Sequence, residues 1–396
     1  MTTPISYITC TRNRPSELAD TIGRLDALHR HDPQSVEVVI ADNASDTPIR
    51  QCLPPTTIPV RVVTLQANIA AAARNHAAAH TRHDWLVMLD DDSAPRDLGH
   101  LNVLAQTPPT TAAVMADITL PDGSRERGGL PEVFIGCGAA IRKQAFIDAG
   151  GYDPDFFYFA EEPDLCARLI AAGWDIRFSP WFRVLHKKTS TNRDHNRMLR
   201  LLTRNQGVVI ERTTPDQDRN FLRKDHVRRC AWIARKEGAL QGFAQGLAEL
   251  RSTRHTLKRQ PLGHHHYERF TGLHHARQAI EQALQLQPFD TACLTHEGKH
   301  AWAVRRALTE AGIHLTEDAY AADRLVIATL SPGPMLDALA HLHATGQGHR
   351  TIAPWTQALN ILGLESEPFP LMPSLLAQPA HRESQAEAPA QTRIRA

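Results

Sequence analysis

The first 110 residues alternate between short apolar runs typical of strands and longer stretches with helical spacing. The predicted strands cover residues 5–11, 36–41, 60–65 and 85–89. Pro15 opens one helical pattern, and residues 69–80 form an alanine-rich second one. Strands that alternate with helices predict a mostly parallel sheet with helices on both faces, and therefore an α/β fold of Rossmann-like type.

Polar residues cluster where the predicted strands end. They occupy residues 9–14, 42–46 and 90–92. In open α/β sheets, ligands bind outside the carboxyl ends of the strands. The sequence therefore predicts a binding site at this edge of the sheet.

Three consecutive aspartates, Asp90, Asp91 and Asp92, follow the fourth predicted strand. Their mutual repulsion raises their pKa values unless a cation neutralises them. Hard divalent ions such as Mg²⁺ and Mn²⁺ prefer oxygen ligands and often share them with a phosphate. On these three residues alone, a solvated acidic turn is an equally good interpretation.

The formal net charge of +1 conceals two oppositely charged segments. Residues 84–185 contain 16 acidic and 8 basic side chains, whereas residues 186–260 contain 7 acidic and 18 basic ones. This order suits a metal site beside a phosphate-binding or membrane-facing surface. Solvated helix faces remain the better explanation for most of these charges.

The second half of the chain predicts a helical region and then a smaller α/β unit. Residues 290–355 have a three-stranded βαβαβ pattern typical of half a Rossmann fold. Its first turn, residues 296–300, lacks the glycine fingerprint of dinucleotide sites. Sugar handling, regulation and packing are therefore at least as good as dinucleotide binding.

The predicted organisation has four parts. They are a catalytic domain at residues 1–225, a basic helical connector at 226–288, a small α/β domain at 289–365 and a disordered tail at 366–396.

Eight short motifs stand in one order along residues 4–190. They are Thr-Cys-Thr-Arg-Asn-Arg-Pro at 9–15, Val-Ile-Ala-Asp-Asn-Ala-Ser at 39–45, Ala-Arg-Asn at 73–75, Leu-Asp-Asp-Asp at 89–92, Gly-Cys-Gly-Ala-Ala at 136–140, Gly-Gly-Tyr-Asp at 150–153, Glu-Glu-Pro-Asp-Leu at 161–165, and His186. In order and spacing the set resembles family 2 glycosyltransferases, which have the GT-A fold.

The resemblance implies a nucleotide-sugar site. Thr9 and Asp42 would hold the base and ribose, with Arg12 nearby. Arg74 would support contacts to the base or phosphate, and Asp91 would contact the ribose.

The resemblance also implies a metal site and a catalytic base. Asp90, Asp92 and His186 would bind Mn²⁺ or Mg²⁺. Glu162 stands where the family more often has aspartate and is the first candidate for the base, followed by Asp164.

The function implied is an inverting, metal-dependent transfer of a sugar from a nucleotide-diphosphate sugar to an acceptor hydroxyl, in the synthesis of cell-surface polysaccharide or a glycoconjugate. A sugar nucleotidyltransferase is one alternative, but residues 9–15 lack the glycines that its first loop usually carries. A catalytically degenerate binding module is another, and the intact Asp90, Asp92 and Glu162 count against it.

The expected partners are the donor and a glycan, lipid-linked or small-molecule acceptor, with no nucleic acid. No run of 18 apolar residues and no signal-peptide pattern occurs, and the six cysteines form no CxxC pair. These features predict a cytoplasmic protein. Peripheral contact with the inner face of a membrane and a protein partner at the small α/β domain are left open.

Overall fold

The computed structural model describes residues 3–188 and 194–355. It contains an eight-stranded mixed sheet and a four-stranded parallel sheet, with helices packed around both. The predicted α/β class is confirmed. The tail predicted at 366–396 lies outside the described residues.

The first half of the large sheet is parallel, as the sequence predicts. Its strands are β1 Ile5–Thr11, β2 Val36–Asp42, β3 Val60–Thr64 and β4 Trp85–Asp90, in the spatial order β3-β2-β1-β4. All seven residues of β2 are buried, which is typical of a parallel strand covered on both faces.

Two helices cover this half of the sheet. Helix α1 (Pro15–Leu28) begins with the proline and buries Leu18, Ile22 and Leu25 against the sheet. The second predicted helix is shorter than expected, because residues 70–72 form a 3₁₀ turn before α2 (Ala73–Ala79).

The second half of the large sheet is mixed. Its elements are β5 Ser93–Pro95, α3 Gly99–Gln106, β6 Thr111–Thr119, β7 Ala139–Arg142, α4 Lys143–Asp148, α5 Glu161–Ala171 and β8 Asp175–His186. The order continues from β4 as β7-β6-β8-β5, and β7 is antiparallel to both of its neighbours. The prediction of two strands at 174–178 and 183–186 is wrong, because β8 pairs along the whole of β6 across a register shift and stays one strand.

Five helices follow the large sheet. They are α6 His195–Thr213, α7 Asp216–Lys236, α8 Leu240–Thr253, α9 His264–Thr271 and α10 Leu273–Leu286. Helices α6 and α8 approach closely, since a Cβ atom on Gly242 or Gly246 would overlap the backbone of α6. The boundary predicted between residues 225 and 226 falls inside α7, and the division into domains stays a prediction.

The small sheet has four strands, not the three predicted. Its elements are β9 Thr291–Thr295, α11 Ala301–Glu310, β10 His314–Leu315, β11 Arg324–Ile327, α12 Pro332–Ala344 and β12 Thr351–Ile352. The order is β10-β9-β11-β12, and each pair is parallel. The additional strand, β10, is only two residues long, too short for a periodic pattern to reveal.

The small α/β unit packs directly on the large sheet's loops. Arg125 donates from Nη1 to Asp337 on α12 at 2.9 Å, and the Gly128 N–H donates to Ser331 Oγ at 3.2 Å. The loop before β7 and the start of α12 therefore form one boundary of the space between the two sheets.

Candidate active site

The parallel register brings the predicted donor-site residues to one edge of the large sheet. Thr11 lies opposite Asp42, and Cys10 lies opposite Asp90. Thr9 lies two residues earlier on β1. The sequence-predicted polar clusters therefore do meet at the carboxyl ends of β1, β2 and β4.

Two buried oxygen atoms at this edge lack a partner within the described residues. Asp42 accepts a hydrogen bond on Oδ1 from the Ser45 N–H at 3.0 Å, but its Oδ2 has none, and neither does Thr9 Oγ1. Leaving a buried polar group unpaired costs about 1–3 kcal/mol. Such atoms fit a surface that hydrogen-bonds a ligand. Arg12 lies exposed nearby.

Arg74 binds Asp90, the first of the three consecutive aspartates. Its buried guanidinium donates from Nη2 to the Leu89 carbonyl at 3.1 Å and to Asp90 Oδ1 at 2.6 Å. It therefore fixes the orientation of Asp90. Contact of Arg74 with a base or phosphate stays a prediction.

Arg14 holds the other two aspartates, and the sequence analysis did not select it. It donates to Asp91 Oδ1 from Nη1 and to Asp92 Oδ2 from Nη2, the latter at 2.9 Å. Thr11 Oγ1 donates to Asp91 Oδ2 at 2.7 Å, and burial raises the pKa of Asp91 to about 7 although Arg14 opposes this. Each carboxylate oxygen of Asp91 thus already accepts a hydrogen bond from this chain. Contact of Asp91 with a ribose stays a prediction.

The candidate metal ligands come from the ends of β4 and β8 and from the loop before β7. The ligand atoms of Asp90, Cys137 and His186 all lie within 4.8 Å of one another. His186 Nε2 also lies 3.3 Å from Asp92 Oδ1. The sequence analysis selected Asp90, Asp92 and His186 as metal ligands. It did not select Cys137, which it named only within the motif at residues 136–140.

Within the described residues, Asp90, Cys137 and His186 form the group of His, Cys, Asp and Glu side chains whose spacing suits a metal ion. The histidines at 264–266 and 274–275 do not belong to this group. Carboxylate and imidazole donors suit Mn²⁺, whereas Mg²⁺ prefers oxygen ligands alone.

Glu126 orients the imidazole of His186, and the sequence analysis did not select it. Its Oε2 lies 2.9 Å from His186 Nδ1, and Lys188 Nζ donates to its Oε1 at 2.7 Å. Burial lowers the pKa of His186, but hydrogen bonds to Asp92, Cys137 and Glu126 raise it to about 12. A carboxylate behind a ligating histidine is the usual support of a metal site.

Helix α5 begins with Glu161 and Glu162, and Glu162 is the first candidate for the catalytic base. The preceding loop holds Phe157, Phe159 and Ala160 at φ values of 60°, 68° and 70°, a left-handed conformation that costs free energy in residues with a side chain. Glu162 Oε1 accepts from the Gly136 N–H at 3.1 Å. A Cβ atom on Gly136 would lie 2.9 Å from that oxygen, so a side chain there would displace the Glu162 carboxylate.

Burial raises the pKa of both glutamates. The charge of Glu162 raises the pKa of Glu161 further, and Asp90 adds to the rise at Glu162 while Arg74 opposes it. Two adjacent, mostly buried carboxyl groups do not both ionise readily. A carboxyl whose pKa is raised in this way suits general-base chemistry near neutral pH.

The geometry favours Glu162 over Asp164 as the base. Asp164 is fully buried, with Arg168 Nη2 at 2.8 Å from Oδ2 and Arg212 Nη1 at 2.6 Å from Oδ1. Both carboxylate oxygens are therefore paired with arginine side chains of this chain. Its place in the motif reflects the anchoring of α5 to α6.

Asn205 on α6 anchors the loop before Glu161. Its fully buried Nδ2 lies 2.7, 2.8 and 2.9 Å from the carbonyl oxygens of Phe156, Tyr158 and Phe159. The sequence offered no signal for this contact, because Asn205 lies more than 40 residues away in a helix.

We expect Asn205→Ala to lower the free energy of unfolding by about 1–3 kcal/mol, since it leaves buried carbonyl groups without a donor. Denaturant-induced unfolding followed by circular dichroism measures the change. Asn220→Ala on the exposed face of α7 is the matched control, with an expected change within about 0.5 kcal/mol. Equal effects of the two substitutions would contradict the anchoring role.

Comparison with known proteins places the described edge of the sheet in a family. Residues 6–118 match the model described as Glycosyl transferase family 2. The pre-mycofactocin glycosyltransferase of Mycobacterium tuberculosis (strain ATCC 25618 / H37Rv) is 33% identical over 152 residues, covering 31% of this chain and 31% of its own. The N-acetylglucosaminyl-diphospho-decaprenol L-rhamnosyltransferase of that strain is 44% identical over 55 residues, covering 14% of this chain and 18% of its own. The chain thus spans under a third of the length of either relative.

Among solved structures, the mannosyltransferase PcManGT from Pyrobaculum calidifontis, in complex with GDP-Man and Mn²⁺, aligns with 78% of this chain and 86% of its own. The TM-score is 0.44 and the sequence identity 14%.

Proposed function

We propose, from the premise that this chain carries a family 2 glycosyltransferase domain of the GT-A fold, that it transfers a sugar from a nucleotide-diphosphate sugar to an acceptor hydroxyl with inversion. The family match over residues 6–118 supports the premise. The observation that carries the proposal is that Glu162 accepts from the Gly136 N–H at 3.1 Å, while the next residue, Cys137, belongs to the group with Asp90 and His186. A proton acceptor and a candidate metal ligand thus share one site.

The residues present fit a divalent ion. Asp90 and His186 would hold it, with Cys137 and Asp92 next to them. When bound, the ion would supply electrostatic stabilisation of the diphosphate leaving group. Mn²⁺ and Mg²⁺ are both proposed, and the histidine favours Mn²⁺.

The chain's own residues supply the remaining parts of the mechanism. Asp42 Oδ2 and Thr9 Oγ1 offer buried hydrogen-bond acceptors for the nucleoside. Glu162, held by the Gly136 N–H, would take the proton from the acceptor hydroxyl as its oxygen attacks the sugar. Attack from the side opposite the leaving diphosphate inverts the anomeric centre.

A panel of nucleotide-diphosphate sugars incubated with Mn²⁺ or Mg²⁺ tests this function. Release of nucleoside diphosphate from one donor supports it. Formation of nucleotide-diphosphate sugar from a nucleoside triphosphate and a sugar phosphate would instead identify a nucleotidyltransferase. Donor binding without turnover, with or without candidate acceptors, would identify a degenerate binding module.

We propose the cytoplasm as the location and cell-surface polysaccharide or glycoconjugate synthesis as the process. The name of the decaprenol-linked rhamnosyltransferase supports a lipid-linked acceptor, beside glycan and small-molecule ones. All six cysteines are free, which fits a reducing compartment. No helix within the described residues has the length and apolar content needed to cross a membrane.

We also propose peripheral contact with an anionic membrane through the end of α7 and the start of α8. Trp232 and Leu240 are 61% and 56% exposed there. Arg235 and Lys236 lie in the last turn of α7, beside Trp232. Exposed apolar side chains flanked by cations are typical of such surfaces.

We expect Trp232→Ala to reduce partition onto vesicles containing anionic lipid by about tenfold, because burying a large apolar side chain is worth roughly 1.5–3 kcal/mol. Flotation at low salt measures the bound fraction. Tyr320→Ala, which removes a 94% exposed aromatic side chain from the small α/β unit, should leave partition unchanged. Failure of the unaltered protein to float at low salt would exclude the contact.

A further inference from the structure

A large cavity separates the catalytic edge from the small α/β unit. Its volume is about 710 Å³. It is lined by residues 124–128 and the start of α12, by α6 and α7, and by residues 296–302. We call this space the interdomain cavity. It exceeds what packing alone leaves between two walls and is large enough for a sugar phosphate or a small glycoside.

The interdomain cavity lies at the point of the small sheet where ligands are expected. Strand β10 lies on one side of β9, and β11 lies on the other. The strand order therefore reverses between β9 and β11, because the connections that follow these two strands run in opposite directions along the sheet. The loops that follow these two strands, at 296–300 and 328–331, both line the cavity. In open α/β sheets this switch point at the carboxyl ends is the usual binding crevice.

Most charges around the interdomain cavity are paired. Arg125 is paired with Asp117 and Asp337, and Arg306 with Asp218 and Glu310. The anions at the opening are also occupied: Asp225 lies 2.6 Å from Arg228, and Glu297 lies 3.4 Å from Arg305.

Of the arginines and lysines that line the interdomain cavity, Arg127, Arg229 and Lys299 have no side-chain hydrogen-bond or ion-pair partner within residues 3–188 and 194–355. Burial and the charge of Arg229 lower the pKa of Lys299 to about 8, although Glu162 opposes this. Arg229 and Lys299 therefore repel each other, and a bound anion would relieve this repulsion.

An aromatic side chain beside Lys299 adds a second unmet requirement. The indole Nε1 of Trp302 is buried and donates to no acceptor in the described part of the chain. Trp302 lines the interdomain cavity, with His300 at 5.6 Å and Phe221 at 5.8 Å between ring centroids. Such a ring offers an apolar face for a sugar and a donor for its hydroxyl or phosphoryl oxygen.

We propose that the interdomain cavity binds the acceptor through a phosphoryl group, which Lys299 and Arg229 hold. The assignment of the bound molecule as the acceptor rests on the proposed glycosyl transfer. The assignment of a phosphate site rests on the cavity alone. The loop at 124–128 that lines the cavity also carries Glu126, whose Oε2 lies 2.9 Å from His186 Nδ1, so the cavity borders the candidate metal site. The phosphoryl group belongs either to a soluble sugar phosphate or to a phosphate-linked lipid.

Reductive labelling with pyridoxal 5′-phosphate tests the phosphate site without any donor or turnover. Its aldehyde forms an imine with a neutral lysine amine, releasing water, and borohydride fixes the product as a secondary amine. The chain has seven lysines, so peptide mapping resolves each one. At about pH 7.5 we expect Lys299 to be labelled at least about tenfold more than any other lysine, because its lowered pKa leaves more of it neutral.

The comparison with pyridoxal, which lacks the phosphate, separates phosphate binding from reactivity. We expect the ratio of phosphate-reagent to pyridoxal labelling at Lys299 to be high, and Arg229→Gln to lower it at least about fivefold, the scale of a lost charge-assisted hydrogen bond. Arg235→Gln removes the same charge from the exposed end of α7 and should not change the ratio.

Competition then identifies the source. Inorganic phosphate should protect Lys299, and stronger protection by glucose 1-phosphate or by geranyl phosphate would assign the site to a soluble or a lipid-linked acceptor. Equal labelling by the two reagents with no protection by any phosphate would overturn the proposal. Because no step requires a donor, that result is distinct from failure to hydrolyse nucleotide sugars.

Discussion

Replacing Glu162 with glutamine is expected to reduce glycosyl transfer by roughly a hundred- to ten-thousandfold, the range of general-base loss. Glutamine keeps an oxygen that can accept from the Gly136 N–H, so the start of α5 should keep its structure. It cannot accept the acceptor's proton. Steady-state transfer rates and donor titration by calorimetry should therefore diverge, with affinity for the donor retained while kcat falls.

Two further variants make this result interpretable. Glu281→Gln on the exposed face of α10 makes the same chemical change away from the site and should leave the rate unaltered. Asp164→Asn should act on stability, because it weakens pairing with Arg168 and Arg212. A silent Glu162→Gln together with a folded, inactive Asp164→Asn would transfer the base to Asp164.

The pH dependence follows from the same residue. Burial raises the pKa of Glu162 above its ordinary value, and only the ionised form accepts a proton. Transfer should therefore decline with falling pH already above the range in which an exposed glutamate titrates. Rate profiles for a donor whose own ionisation is constant over that range measure this limb. A limb at the ordinary glutamate pKa would contradict the buried environment.

The sequence predicts those parts of the site that depend on position along one strand or one motif. Asp42 and Asp90 end buried apolar strands, so parallel pairing alone places them at one edge. His186 ends a long strand and was identified from the family pattern. These residues needed only the strand pattern and the motif order.

The residues that sequence reasoning missed act across the fold. Arg14 was indistinguishable from Arg12 in the same motif, and only the turn into α1 decides which one faces Asp91 and Asp92. Glu126 and Asn205 reach the site from 60 and more than 40 residues away. No local periodicity encodes such contacts.

Asp164 shows that a motif position alone does not separate a candidate base from a carboxylate engaged in packing. Asp164 lies two residues after Glu162 in the first turn of α5, where its side chain is buried and pairs with Arg168 and Arg212. Adjacent carboxylates on a helix start face different surroundings, and their roles separate only when the packing is known.

Asp90→Asn is expected to reduce turnover by on the order of a hundred- to a thousandfold, the scale of losing a major electrostatic stabiliser. Asparagine can still accept from Arg74, so the substitution removes charge with little change of shape. Titration of Mn²⁺ followed by electron paramagnetic resonance should show weakened metal binding in Asp90→Asn and in His186→Gln alike. Asp84→Asn, at the exposed start of β4, is the matched control. Full activity in a chelator, or unchanged Mn²⁺ affinity in both site variants, would contradict the assignment, because the cluster would then hold its charges for structure alone.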